Sequence, residues 1–583
     1  MKKLFAMSAL AASMALVGCG GGDINLNAQN NSTTDNSVGD NSNNTTSGGN
    51  SSIVCAEYVK GGTTFSGQSD GTNCIYSETF VNFDNPLTEN ITLRDIGDGA
   101  HIFQGSLFVG ENYATLAEAT AAGIEEGGDG PSLTIQAGVT VAFQDAKSFV
   151  AIMRGSQIFA NGTSTAPITF TSEADLLGNV EAEETQTWGG MILNGFAFTN
   201  ACTYDAGWDQ TSSDNPVITA GTECSILQEG TEGETSNHYG GAVANDNSGV
   251  MRYVVVKHAG FAIDNDNELN GINFGAIGSG TTLENIEIYA NYDDGVEFFG
   301  GNVNLTNYVA LYVRDDSLDI DQGYYGTIEN ALVIQGGSTV EADRTGAHCV
   351  ESDGSASSTK SANITKGYTS KATINNLTCI LSAKGPGVAG NGDPSGGINA
   401  EEAHHLTMNR SIVTTAYAAD ALKQDAGAAN DIPAANLDFT NYCFQLEDSE
   451  DLQNAGNGLI NINTSVFACH DISANKDRNG DFTITAGSEY GAITGQAFLE
   501  AQDNVVATTL ADDGSTTPDT GDFVILNGFY SVDVADMVVD GGAVAFDDAT
   551  VTTIGAVSAG SDWTADWTYG LHDGKRAKAL WFE

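Results

Sequence analysis

The sequence predicts an all-β chain whose short strands stack as a parallel β-helix, a solenoid with N- and C-terminal caps. Three observations point there. The first is a repeat. Leu283-Glu284-Asn285-Ile286 returns as Leu305-Thr306-Asn307-Tyr308 after 22 residues, and as Ile328-Glu329-Asn330-Ala331 after a further 23. The second is composition: 70 glycines, 8 prolines and many Asn and Asp residues mark frequent corners. The third is short apolar alternation, as at Leu133, Ile135, Val139 and Val141, which has the period of a strand. A unit this short cannot bury its own apolar face, so it must stack on its neighbours.

Taken in order, residues 1–18 read as a secretory signal. Met1-Lys2-Lys3 gives a positive start and residues 4–17 an apolar run, too short for a comfortable membrane span. The run ends Leu16-Val17-Gly18-Cys19, similar to the bacterial lipobox. That resemblance implies cleavage before Cys19 and acylation of its thiol. Gly20, standing where Asp would mark inner-membrane retention, points to the outer membrane. Residues 19–52 are almost all Gly, Asn, Ser, Thr and Asp, the composition of a flexible tether. An N-terminal cap is expected over 53–130, the β-helix over 131–475 and a C-terminal cap over 476–583. Short helices fit 113–126 and 493–502. Trp563, Trp567, Tyr569 and Trp581 are expected to cover the last coil, whose strand edge would otherwise be open.

Besides Cys19 there are eight cysteines: Cys55 and Cys74, Cys202 and Cys224, Cys349 and Cys379, Cys443 and Cys469. An even number in an exported chain suggests disulfides. Pairing between neighbours is favoured because each pair flanks a loop-rich insertion. No Cys-x-x-Cys occurs, which disfavours zinc.

The formal net charge is −55, from 76 acidic and 21 basic residues. Nucleic acid and anionic lipid are therefore poor partners. The charge suits a salty medium, where it is screened, and also Ca2+, a hard cation that takes oxygen ligands.

The acidic residues gather in the repeat. Asp293-Asp294-Gly295-Val296-Glu297-Phe298 matches Asp315-Asp316-Ser317-Leu318-Asp319-Ile320. Asn270-Gly271-Ile272-Asn273-Phe274 fits the same slot, and Gly397-Ile398-Asn399 and Asp420-Ala421-Leu422-Lys423 fit it more loosely. With Val296 and Phe298 inward, Glu297 is expected to face solvent. Asp319 then stacks on Glu297 and Asp316 on Asp294, with Asp321 beside Asp319. Three readings stay open: a solvated acidic corner; a calcium site with Asp294, Glu297, Asp316, Asp319 and Asp321 as ligands; or catalysis by Asp294 and Asp316 with Arg314 as the nearest base. Asn285, Asn307 and Asn330 are expected to form a polar ladder at a turn. Glu401-Glu402 with His404-His405 could bind a transition metal, but reads better as an exposed turn. Asn475 to Asp481 resembles the start of an EF-hand loop, yet Ala486 stands at its twelfth position, so a surface turn is preferred.

At these residues the chain resembles exported bacterial proteins with a pectin-lyase-like right-handed β-helix. The segments 133–138, 154–163, 167–170 and Trp188-Gly189-Gly190 resemble the first coils of such proteins, and 247–337 resembles them most. The resemblance implies a right-handed parallel β-helix. For activity it implies either a surface protein or a polysaccharide lyase, hydrolase or epimerase. The Gly-His-Gly and Arg-Ile-Lys signatures of the related polygalacturonases are absent. The expected function is therefore non-enzymatic: an outer-membrane-anchored surface lipoprotein that binds extracellular polysaccharide or matrix, stabilised by Ca2+. A polysaccharide-cleaving or epimerising enzyme is the alternative, and a purely structural stalk the third reading.

Overall fold

The computed structural model describes residues 53–583 apart from 232–235, 265–266, 337–345, 357–358, 383–394, 417–440, 470, 478–479, 485–491, 508–527, 540–541, 573–579 and 581–583. Cys19, the tether, Trp581 and the loose repeat at Asp420 lie outside the described residues. The described residues belong to one compact unit, Ser52–Glu583.

Strands dominate and most pairings are parallel. One sheet takes a short strand at each return of the chain: Leu107–Val109, Phe149–Ile152, Gly190–Asn194, Ile272–Gly275, Val296–Phe299, Leu318–Asp321, His348–Asp353, Gly396–Glu401, Tyr442–Leu446 and Asp471–Ala474, each paired with the next. Longer strands, Gly249–Lys257, Thr282–Tyr289, Leu305–Leu311, Thr327–Ile334 and Thr373–Ser382, pair in the same way in a second sheet. The chain alternates between the two sheets, so a strand's partners lie one repeat earlier and one repeat later. An all-β chain of stacked parallel strands is thus what the repeat specified.

The register follows the repeat residue by residue. Ile272, Val296 and Leu318 form one inward column, and Phe274, Phe298 and Ile320 the next. All six are fully buried, each contributing about 1.5–3 kcal/mol by leaving water. Asn399 of the looser repeat pairs with Glu351 in the continuation of the Asn273–Glu297–Asp319 column. In the N-terminal half the core is an aromatic stack of Tyr76, Phe103, Phe143 and Trp188, with centroids 4.6, 5.9 and 4.9 Å apart. Their irregular spacing hid this stack from the sequence.

The asparagine ladder is present and explains the long strands' shape. Asn285, Asn307, Asn330 and Asn376 all have positive φ, between 56 and 61°, a left-handed conformation that Asn tolerates better than most residues. Each marks a bend within its strand. Leu283 and Ile286, three residues apart, are therefore both inward, where a straight strand would put them on opposite faces. Asn307 Nδ2 donates to Asn285 Oδ1 at 3.1 Å, Asn330 Nδ2 to Asn307 Oδ1 at 2.9 Å, and Asn376 Nδ2 to Asn330 Oδ1 at 2.9 Å.

The four disulfides join neighbours: Cys55–Cys74, Cys202–Cys224, Cys349–Cys379 and Cys443–Cys469. Leu116–Ala122 forms a helix with a Thr115/Glu118 capping box and Gly123 at its C-cap, and Gly495–Glu500 forms another. Among the described residues no helix is long and apolar enough to cross a membrane.

The C-terminal segment requires a correction. It packs along the outward side of the long strands: Phe529, Ala556, Val557, Leu571 and Leu580 cover Tyr289, Val309, Leu311, Leu332, Ile334 and Ile380. The reason is in the strands themselves. Ala331-Leu332-Val333-Ile334 is apolar on both faces, and a strand apolar on both faces must be covered on both. At the end of the stack, Phe498 and Leu499 of the Gly495–Glu500 helix join the main core.

Candidate metal centre

The outward face of the short-strand sheet carries the acidic residues in columns. One column runs Asn273, Glu297, Asp319, Glu351, Asn399 and Gln445. Two residues along, Asp321 lies beside Phe299, and Asp353 beside Glu401. On the entering side, Asp316 N donates to Asp294 Oδ1 at 3.0 Å and His348 N to Asp316 Oδ1 at 2.6 Å, which stacks these three. The sequence-predicted stacks of Asp319 on Glu297 and Asp316 on Asp294 are therefore both present.

Their exposure was misjudged. Glu297 was expected to face solvent, but it is 5% exposed, with Asp294 at 9% and Asp316 at 5%. These three side chains are covered, against the solvated-corner reading, while other members of the columns keep partial exposure. Asp319, Asp321, Glu351, Asp353 and Glu401 are half-buried.

Burial, reinforced by like charge, pushes these carboxyls up. Desolvation and the charges around them hold Asp294, Glu297, Asp319 and Asp353 well above the usual carboxylate range. By the same causes Asp321 rises to about 7, Glu351 to about 8 and Glu401 to about 9. The carboxyls of Glu297 and Asp319 lie within hydrogen-bonding reach of each other, which requires a shared proton or a cation between them. Two unit charges one strand spacing apart repel by about 3–4 kcal/mol at an effective dielectric near 20.

Three groups of side chains bring ligand atoms within 4.8 Å of one another: Asp294, Glu297 and Asp319; Asp294, Asp315 and Asp316; and Asp316, His348 and Glu351. The first two offer only oxygen, the donor set of Ca2+ or another hard cation. Asn273 lies in the same column beside Glu297, fully buried, and neither its Oδ1 nor its Nδ2 has a hydrogen-bond partner. An amide oxygen is a good calcium ligand, so this side chain fits a cation site better than a plain acidic corner. His348 supports the group from behind. Its Nδ1 is 2.7 Å from Asp316 Oδ1 and its Nε2 2.7 Å from Tyr442 Oη. With both ring nitrogens engaged, it orients Asp316 in the manner of a residue behind a metal ligand.

Sequence reasoning missed the extension of the site to Glu351, Asp353 and Glu401, and missed Tyr442. Insertions between strands shift these residues out of the 22-residue period, so only the three-dimensional register aligns them. Arg314 is 9% exposed, and its Nη2 donates to Glu183 O at 2.6 Å. That bond ties its side chain to the backbone of residue 183. His404 turns inward to Ser352 Oγ, and burial lowers it to about 3; the Glu401-Glu402/His404-His405 array does not converge among the described residues. The turn after Asn475 is only partly described, and its Asp481 Oδ1 accepts from Gly495 N at 3.1 Å. The aromatic residues of the repeats are mainly buried packing; Tyr292 is exposed.

A family model described as a pectate-lyase like beta helix domain matches residues 121–495. No curated protein and no solved structure matches the chain. The match covers more than half of the sequence, in-register parallel strands fill it, and the chain therefore belongs to the pectate-lyase-like β-helix family.

Proposed function

We propose that the protein is a lipid-anchored surface protein that holds Ca2+ on the acidic face of a right-handed parallel β-helix and binds extracellular polysaccharide or matrix there. The observation that carries this reading is the convergence of buried Asp294 and Glu297 with Asp319, beside the unpartnered amide of Asn273. Calcium takes six to eight oxygens, roughly; three carboxylates and an amide leave positions for carboxylate or hydroxyl oxygens of a glycan. The half-buried Asp319, Asp321 and Glu351 give an outside ligand access to that side. Cys19 is the proposed anchor and the outer membrane the proposed location.

The test is calorimetry of Ca2+ binding to residues 52–583, followed by co-sedimentation with neutral and acidic polysaccharides with and without Ca2+. Calcium-dependent retention of an acidic polymer of unchanged length supports the reading. Failure to bind Ca2+ sinks it.

A second reading, a polysaccharide lyase or epimerase, is favoured by one observation: the Asp316–His348–Tyr442 chain places groups able to exchange protons at the edge of the acidic face. Calcium-dependent formation of unsaturated chain ends would establish the lyase, and inversion of a ring carbon in a polymer of unchanged length the epimerase. Loss of that turnover in Arg314→Ala, with the fold and Ca2+ binding kept, is the outcome expected if Arg314 is the base.

A further inference from the structure

We propose a second ligand site, for a short neutral oligosaccharide, in a cavity formed by the N-terminal segment and the first stacked turns. The cavity is about 590 Å3, within the range of small-molecule sites. It is lined from residues 60–156, and no lining residue belongs to the acidic columns.

The floor is buried and the rim is wet. Arg154 and Ser156 are 4% and 1% exposed, whereas Glu89 and Glu111 at the mouth are exposed. The Ser156 hydroxyl has no hydrogen-bond partner. Glycines make room for it: a Cβ on Gly110 would lie 2.0 Å from its Oγ, and one on Gly130 2.7 Å. Leaving a buried hydroxyl unpaired costs about 1–3 kcal/mol. The hydroxyl is enclosed between these glycines, so it shapes the floor, and the rim groups are the ones that meet a ligand.

The remaining groups select the ligand class. The Arg154 guanidinium is committed to the protein: it donates to Gly240 O at 3.0 Å, Tyr113 O at 2.6 Å and Ser225 Oγ at 2.7 Å. It therefore fixes the floor and leaves little for an anion. Lys60 Nζ donates to Pro86 O at 2.8 Å and has further N–H groups to give. Glu89 and Glu111 accept and repel anions. The half-buried Tyr113 and Pro131 offer apolar surface. Donors, acceptors and an aromatic ring in one nearly charge-balanced cavity match a molecule with many hydroxyls and C–H faces, a neutral sugar.

The experiment is saturation-transfer NMR and calorimetry on the full chain in EDTA, with cellotriose, maltotriose and xylotriose as probes and trigalacturonate as the charged control. At least one neutral trisaccharide is expected to bind without Ca2+, and trigalacturonate is not. Glu89→Trp, which closes the mouth from an exposed position, should weaken binding about tenfold or more. Lys60→Ala, which removes the rim donor, should weaken it about threefold to tenfold. Asp319→Asn on the acidic face should leave it unchanged. No binding by any of the three neutral sugars overturns the site, as does unchanged affinity in Glu89→Trp. Loss of sugar binding in Asp319→Asn would move it to the acidic face and also overturn the proposal. Failure of calcium binding, by contrast, would leave this site standing.

Discussion

Asp319 stands beside Glu297 across a parallel strand pair, both carboxyls on the same face, with Glu297 buried and Asp319 half-buried. Two carboxylates so placed are unstable as a bare pair, and the ways of relieving them separate the possible states of the site.

Stability should depend on pH with an unusual sign. Asp321, Glu351 and Glu401 titrate at about 7, 8 and 9 in the folded chain, against about 4 for carboxyls of an unfolded chain. The folded state then holds more protons than the unfolded state across that window. The contribution of these groups to metal-free stability is therefore fully present below about pH 4 and lost as pH rises through about 7 to 9. Ca2+ replaces the protons, so its stabilising effect should grow over the same range. Melting curves in EDTA and in Ca2+ measure both trends, and a metal-free melting temperature that climbs from pH 5 toward 9, roughly, contradicts the sign.

Removing one member of the pair should divide the two states. Asp319→Asn relieves repulsion, so in EDTA near pH 8 it should stabilise by on the order of 1–3 kcal/mol. It should also abolish most of the gain from Ca2+, since one ligand is lost. Denaturant unfolding of wild type and variant, each with and without Ca2+, gives all four values. Equal Ca2+ gains in both proteins would remove Asp319 from the site.

The asparagine ladder allows backbone conformation to be separated from hydrogen bonding. Asn330 has φ of 60°, donates to Asn307 and accepts from Asn376. Asn330→Gly keeps the left-handed conformation and loses two bonds, a cost of about 1–3 kcal/mol. Asn330→Ala adds about 1–2 kcal/mol of backbone strain. Alanine should thus be the worse replacement, and chemical denaturation of the two variants compares them directly.

The Cys349–Cys379 disulfide closes a segment with a sequence separation of 30. Its removal by paired Cys→Ala substitution should cost about 3–4 kcal/mol. Non-reducing peptide mapping checks the pairing, and unfolding under oxidising conditions checks the cost.

Deleting residues 528–583 should uncover Val309, Leu311, Leu332, Ile334 and Ile380 together. An apolar strip of that kind promotes association. Increased dye binding and oligomers in light scattering are expected, with far-UV circular dichroism still β-rich. A monomeric, dye-negative truncation would mean that the segment is dispensable cover.

The sequence by itself determined the all-β class, the stacking register over the two closest repeats, the asparagine ladder and the pairing of acidic residues between adjacent strands. Those features are local, or recur at a fixed period, and a period of this size has few physical solutions besides stacking. Only the tertiary structure decided three other things. It buried Glu297 and Asp294, because exposure depends on what covers a face and not on which face a side chain takes. It extended the acidic columns to Glu351, Asp353 and Glu401, because insertions break the sequence period while strand pairing preserves the spatial one. It laid the C-terminal segment along the flank of the long strands, because apolar residues on both faces of Thr327–Ile334 require a second partner, and that partner, Phe529 to Leu580, lies far away in sequence.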